Sequence, residues 1–330
     1  MKKVFIGVDI SKNTLDTALC HAKSKKMIET FQVLNTLKGI DHFIRKIKKQ
    51  SSLKEVWICF EHTGNYGLLL AHQLDKAQVC YSAVPAVEIQ RSQGLIRGKN
   101  DTVDAQRIAL YAATHVHKLQ PSKLPGGPLM KIKHLLTHRD LLVRTATRFK
   151  NHLKSLLVSQ QVIDLADIIE STRNQITLLT TRVRQLEDLI EELIHQDNDI
   201  RRNYELATSV KGVGLLIATH MILYTQNFTS FINPRKFNCY SGLAPFENSS
   251  GISIRGKTRT SHWRNKTMKS LLFNGAYSAA RFDHQIAKYY QRKIKEGKAK
   301  QSVINAVACK IVYRVFAVVK RGEPYINFDY

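Results

Sequence analysis

One short stretch constrains the fold of this chain more than any other. Pro121, Pro125, Gly126, Gly127 and Pro128 crowd together there, a composition that neither a helix interior nor a central strand tolerates. Before it, short β-rich runs alternate with helical stretches. After it, the apolar residues follow a helical repeat. The 330 residues are therefore read as three parts: an α/β domain over 1–125, a helical coiled-coil linker and oligomerisation region over 126–200, and a mainly α-helical domain over 201–330.

In the first part, strands are expected at 4–8, 15–20, 28–34, 55–60 and 79–84, and helices at 39–49, 66–76 and 102–114. Three strands in succession, joined by short polar links, form a meander. A meander followed by alternating helices and strands is the order of a ribonuclease-H-like fold, although a doubly wound sheet gives a related pattern. In the second part, Leu135, Leu142, Phe149 and Leu156 repeat every seven residues. After a break at 159–167, Ile176, Leu179, Val183, Leu186, Ile190 and Leu193 alternate in spacings of three and four. Such a seam fits either an antiparallel hairpin within one chain or a coiled coil between chains. In the third part, 237–243 reads as a short helix, 252–254 as a short extended piece, and 267–280 and 301–319 as helices.

Charge narrows the partners. Lys and Arg number 51 against 26 Asp and Glu, a net charge of +25, which calls for a polyanion, first nucleic acid and second an anionic membrane surface. No run reaches the roughly 18 uninterrupted apolar residues of a spanning helix, and Asp9 interrupts the N-terminal apolar run too early for a signal peptide. The expected setting is the bacterial cytoplasm, in association with the nucleoid, with no membrane partner. Cys20, Cys59, Cys80, Cys239 and Cys309 form no C-x-x-C pair, so neither a disulfide framework nor a cysteine zinc site is expected.

Four carboxylates stand where α/β sheets build sites. Asp9 and Glu61 end strands, and Asp101 and Asp104 lie three apart at the start of a helix. Either Asp9 or Asp101 alone would serve as a turn or helix cap. Together, four convergent carboxylates repel one another unless a cation joins them, and hard oxygen donors select Mg²⁺ or Mn²⁺. Two such ions about 4 Å apart activate an attacking oxygen and stabilise a leaving one in phosphodiester chemistry. The run Gly7-Val8-Asp9-Ile10-Ser11 also suits the phosphate loop of an actin-like ATPase. That alternative does not explain the basic second half.

From Arg255 to Lys300 the basic side chains, among them Arg255, Lys257, Arg259, Arg264 and Lys266, face only Asp283 and Glu296 as acids, and Trp263, Phe282, Tyr289 and Tyr290 are interleaved with them. Cations mixed with aromatics suit a groove that neutralises phosphates and stacks bases. The turn Lys211-Gly212-Val213-Gly214 presents a further lysine and backbone N–H groups in the manner of a helix-hairpin-helix element, although such turns also serve plain packing. Ser250 precedes Gly251 in a polar turn where backbone can approach a phosphate.

The ordered set Gly7-Val8-Asp9-Ile10-Ser11, Glu61-His62-Thr63-Gly64-Asn65-Tyr66, Lys99-Asn100-Asp101-Thr102-Val103-Asp104-Ala105, Gly242-Leu243-Ala244-Pro245, Ser249-Ser250-Gly251 and Arg255-Gly256 resembles the DEDD transposases of the insertion sequence 110 family and the related Piv-type DNA invertases. The resemblance covers nearly the whole chain. It implies a RuvC-like N-terminal domain of ribonuclease-H fold, a coiled-coil linker and a C-terminal transposase domain. It also implies that Asp9, Glu61, Asp101 and Asp104 hold divalent metal and that Ser250 is the nucleophile that joins DNA. Asn100 stands where the family often has threonine. Ser249, Ser241 and Ser253 lie close to Ser250, and the family's serine directly before glycine favours Ser250. A guide non-coding RNA from the element is a further implication.

The resulting expectation is a site-specific recombinase that cuts and rejoins element ends and target DNA, works as a dimer or tetramer, and inverts or transposes its substrate. The alternatives are a RuvC-like junction nuclease using water and a non-catalytic nucleic-acid-binding protein.

Overall fold

A computed structural model describes residues 2–62, 64–92, 100–231, 233–250 and 254–326, with the backbone alone at 248–250, 254–255 and 257–259. The chain divides into two compact units, Met1–Leu124 and Pro125–Tyr330.

The first unit opens with β1 (Val4–Ile10), β2 (Thr14–His21) and β3 (Met27–Leu34), then α1 (Leu37–Gln50), β4 (Val56–Glu61), α2 (Leu68–Lys76), β5 (Tyr81–Val84), α3 (Ala86–Arg91) and α4 (Asp101–Thr114). The sheet runs β3-β2-β1-β4-β5. β1, β2 and β3 pair antiparallel, whereas β4 adds to β1 and β5 to β4 in parallel. The expected meander is thus present, and the parallel strands arrive through helical crossovers as parallel pairing requires.

Alternation along the strands gives the sheet two dry faces. On one, Ile6, Val8, Leu15 and Ile58 pack with Ile40, Phe43 and Ile47 of α1 and with Leu70 and Leu74 of α2. On the other, Phe5, Ala18, Cys20 and Cys59 lie under Ala105, Ile108, Ala109 and Ala112 of α4. Gly7 sets how closely α4 approaches. A Cβ there would stand 2.2 Å from both the Ala105 carbonyl oxygen and the Ala109 nitrogen, so a side chain at this position would drive the helix off the sheet.

The second unit contains α5 (Gly127–Ser159), α6 (Ala166–Gln196), α7 (Asn198–Thr208), α8 (Leu215–Tyr224), α9 (Pro234–Tyr240), β6 (Pro245–Ser250), β7 (Ile254–Thr260), α10 (Lys266–Phe282), α11 (His284–Lys295) and α12 (Lys300–Arg321). Leu129, Ile132 and Leu136 of α5 share a core cluster with Ile190 and Ile194 of α6. Arg139 Nε donates to Glu187 Oε1 at 2.6 Å. Early α5 therefore meets late α6, and the two long helices run antiparallel within one chain. Of the heptad residues, Ile190 belongs to this cluster, and Leu135 and Leu193 pack against it.

Below that pair, α12 buries Val303, Ile304, Val307, Ile311, Val312 and Val315 against Met268, Leu272 and Ala276 of α10. α12 has the length and apolarity of a membrane-crossing helix, yet this face forms a protein core. Two features depart from the sequence reading. The residues after 283 form a separate helix, α11, because the Asp283 carboxylate accepts from the Ile286 N–H and starts it. Beyond the expected extended piece at 252–254, of which 252 and 253 lie outside the described residues and Ile254 opens β7, β6 and β7 pair antiparallel, with an irregular register between Phe246 and Asn248.

Candidate active site

The register of the first sheet aligns polar residues across four strands. Asp9 of β1 stands opposite Asp16 of β2, and Asp16 stands opposite Gln32 of β3. On the other side of β1, Val8 pairs with Phe60 of β4, so Glu61 continues beside Asp9. Residues directly opposite in a sheet share a face. Gly7, two positions before Asp9, touches α4, so the row Gln32, Asp16, Asp9, Glu61 lies on the α4 face.

The first turn of α4 adds Asp101 and Asp104. Asn100 caps this helix, its Oδ1 accepting from the Thr102 N–H at 3.0 Å. The residue that departs from the family's usual threonine therefore takes the capping role, and Asp101 has no need to. Asp104 Oδ1 accepts from Arg107 Nη1 at 2.7 Å. The Asp9 carboxyl is pushed up to about 6, first by burial and then by the negative charge of Asp101, Asp104 and Glu61. Burial, with Glu61 adding to it, pushes the neighbouring Cys59 thiol up to about 12, which keeps it protonated and inert.

Asp101, Asp104 and Glu61 are thus each within electrostatic reach of Asp9. Among the described residues, no three His, Cys, Asp or Glu side chains stand close enough together to hold an ion. The donor set nonetheless fits a hard divalent cation in its chemistry, since it is all carboxylate and Asp9 is raised by burial and by the negative charge of the other three. The reading from sequence passed over Asp16, which is only 6% exposed. The signal was available: Asp16 has the same strand parity as Ala18 and Cys20, which point inward beneath α4.

In the second unit, Ser250 ends β6 and pairs through its backbone with Ile254, and Ser249 pairs with Arg255. The side chains of Ser249, Ser250, Arg255, Lys257 and Arg259, and the whole of Ser253, lie outside the described residues. Ser241 is fully buried and so closed to a DNA strand. Lys211 and Lys266 are exposed. Gly212 adopts a φ of +90° and packs its backbone on Gly275 of α10, where a Cβ would stand 2.4 Å from the Gly275 oxygen. That glycine serves helix packing. Arg264 lays its aliphatic stem over Gly242 and donates through Nη1 to the Ser261 carbonyl at 3.0 Å. Lys269 Nζ joins the Gly242 carbonyl at 2.9 Å to Thr260 Oγ1 at 3.1 Å, tying the end of β7 to the Gly242-Leu243-Ala244-Pro245 loop. Trp263 is 68% exposed among these cations.

Residues 6–161 match a family model described as a transposase, the DEDD type of IS110, and residues 204–291 match one described as a transposase of the IS116/IS110/IS902 family. The chain belongs to the IS110 family of transposases. It is accordingly an enzyme that cuts and rejoins DNA. Two curated relatives run nearly its full length. It is 26% identical over 332 residues to the pilin gene-inverting protein of Moraxella bovis, covering 98% of either chain. It is 25% identical over 331 residues to the corresponding protein of Moraxella lacunata. An IS110 insertion-element protein of 43.6 kDa from Streptomyces coelicolor is 26% identical over 187 residues, spanning 55% of this chain and 45% of that protein. Among solved structures, RuvC of T. thermophilus in complex with a Holliday junction substrate is similar at a TM-score of 0.30 and 11% identity, over 36% of this chain and 99% of that one.

Proposed function

We propose that this transposase is a metal-dependent serine recombinase with a ribonuclease-H-like first domain. Asp9, Glu61, Asp101 and Asp104 would hold Mg²⁺ or Mn²⁺, and Ser250 would be the nucleophile. The observation that carries the reading is Asp9, a carboxyl raised by burial among three other carboxylates at the end of a central strand. A cation relieves that repulsion, and an ion held there polarises phosphodiester oxygens. Ser250 Oγ attacks a backbone phosphorus, the P–O3′ bond breaks, and the strand leaves with a 3′ hydroxyl while the protein keeps a phosphoserine ester. Attack of a 3′ hydroxyl on that ester reverses the process, so rejoining to a new strand needs no ATP.

Exposed Lys211, Lys266 and Trp263, with Arg255, Lys257, Arg259 and Arg264, form the nucleic-acid-binding set. They serve element-end and target DNA and a guide non-coding RNA, in a dimer or tetramer acting in the cytoplasm. The full-length similarity to pilin gene-inverting proteins favours inversion as one outcome of the same chemistry.

The test is incubation of the purified protein with labelled element-end DNA, flanking non-coding RNA and Mg²⁺, followed by denaturing electrophoresis. A covalent protein–DNA species is expected, and both Ser250→Ala and Asp9→Asn should abolish it. Cleavage without an adduct that persists in Ser250→Ala would assign the attack to water and make the protein a junction-type nuclease.

A further inference from the structure

The second unit contains a cavity that neither the acid site nor the basic set uses. Its volume is about 620 Å³, inside the roughly 300–1,000 Å³ of small-molecule sites. Residues of α7, of the turn after α8 and of α12 wall it. Phe228, Phe231, Tyr313 and Phe316 supply its rings. Phe228 stands edge-on to Phe316, with centroids 5.3 Å apart at 82°, and Tyr313 is 42% exposed. Two amides line the same space. Asn203 Nδ2 donates to Asn227 Oδ1 at 2.8 Å, while the Asn203 carbonyl oxygen and the Asn227 amide nitrogen have no partner among the described residues. The wall also carries backbone strain. Gln226, Asn227 and Phe228 have φ of 48°, 56° and 62°, three of the five non-glycine residues with positive φ among those described. Such residues collect at ligand clamps, and here Asn227 and Phe228 both line the cavity. The surrounding charge is positive. Lys320 lines the cavity one turn beyond Phe316 on α12, and Arg235 and Lys236 follow the lining Pro234. All three cations are exposed, and none has an ion pair among the described residues.

We infer that this cavity takes one unstacked DNA base, held against the aromatic rings with its edge on the two asparagine amides and its phosphate on Lys320. Bases stack on aromatic side chains whatever their sequence. A base taken out of the helix is read by hydrogen bonds to its edge, and a free amide donor beside a free carbonyl acceptor complements such an edge. A purely apolar ligand would leave both amides unanswered. A base inside a duplex cannot enter, so the cavity serves an opened or single-stranded segment, which cutting and rejoining strands produces. The inference rests on DNA as the partner, and it is independent of Ser250 and of any metal.

The experiment measures, by fluorescence anisotropy, binding of the full-length protein to a labelled single-stranded oligodeoxynucleotide and to the same strand made abasic. Wild type is compared with Tyr313→Ala, Tyr313→Phe, Asn227→Gly and Lys320→Gln, with melting temperatures alongside. Tyr313→Ala should weaken binding of the base-bearing strand about 10-fold and leave the abasic strand unmoved, and Tyr313→Phe, which keeps the ring, should bind as wild type does. Asn227→Gly keeps the left-handed backbone and removes the amide; it should weaken the base-bearing strand alone, and it offers a second route if Tyr313→Ala fails to fold. Lys320→Gln should weaken both strands alike, since both carry phosphate. If wild type binds DNA but Tyr313→Ala and Asn227→Gly treat the two strands as wild type does, or lose both equally, the inference alone falls. Deoxynucleoside monophosphates that displace the strand at concentrations below its own would assign the cavity to a free nucleotide and overturn the strand as the source of the base. A wild-type protein that binds neither strand removes DNA as the partner and the inference with it.

Discussion

Two aspartates show opposite uses of the same side chain. Asp283, at the junction of α10 and α11, is fully buried and meets Arg314 Nη1 of α12 at 2.6 Å while also accepting from the Ile286 N–H. Its charge is answered inside the chain by an opposite charge and a capping donor, and it fastens three helices. Asp9 is answered by more negative charge: Asp101, Asp104 and Glu61, with Asp16 opposite it in the sheet. The first arrangement is what a fold needs. The second is tolerable only where something from outside completes it, which is why it marks the site.

The comparison breaks if the two aspartates respond alike to substitution. The largest expected effect on stability is at Asp283, where Asp283→Ala leaves Arg314 partly buried and unanswered and should cost about 3–5 kcal/mol, measured by denaturant unfolding. Asp9→Asn in EDTA should not destabilise the protein. A loss of similar size there would remove the distinction.

Gly7→Ala should come next, at about 1–3 kcal/mol, the usual cost of overpacking. Its Cβ meets backbone atoms of α4 rather than a side chain that can turn away. Because α4 carries Asp101 and Asp104, DNA cleavage at a temperature where the variant remains folded should fall further than stability does. Equal losses in the two measurements would disconnect helix placement from the site.

The smallest effect is with pH. The Asp9 carboxyl is raised from 3.8 to about 6 in the fold, so the stability it contributes when protonated is fully present below 3.8 and disappears as pH rises through about 6. The melting temperature of the metal-free protein should therefore contain a component that declines over that interval. Asp9→Asn should lack it, whereas the same substitution at Asp283 should leave it intact.

Much of this contrast was legible in the sequence, for reasons that can be traced. The strand runs were visible because both faces of β1 and β2 are covered, so each reads as a nearly unbroken buried run. Asp9 and Glu61 were visible because an acid closing an apolar run stands out. Asp16 did not stand out, since Thr14 and Asp16 together look like the wet side of a strand, and the burial of Asp16 depends on α4, which is distant in sequence. α11 was hidden inside a basic run, where Asp283 read as one of two stray acids. The β6–β7 pair was hidden for another reason. Pro, Asn and Ser are poor strand formers, and the pairing is tethered by Lys269 from α10, a contact that no local pattern announces.

The antiparallel pair α5 and α6 has a metric consequence. At 1.5 Å per residue, the 33 residues of α5 extend about 50 Å, longer than the roughly 34 Å of one turn of B-form DNA. The pair cannot be shortened by sliding. A slip of one helical turn, about 5.4 Å, would separate Arg139 from Glu187 and unseat Ile132 and Leu136 from Ile190 and Ile194. The hairpin is thus a ruler with a single graduation, and at its far end Val162, 87% exposed, and Ile163, 57% exposed, stand at a fixed distance from the core at its base.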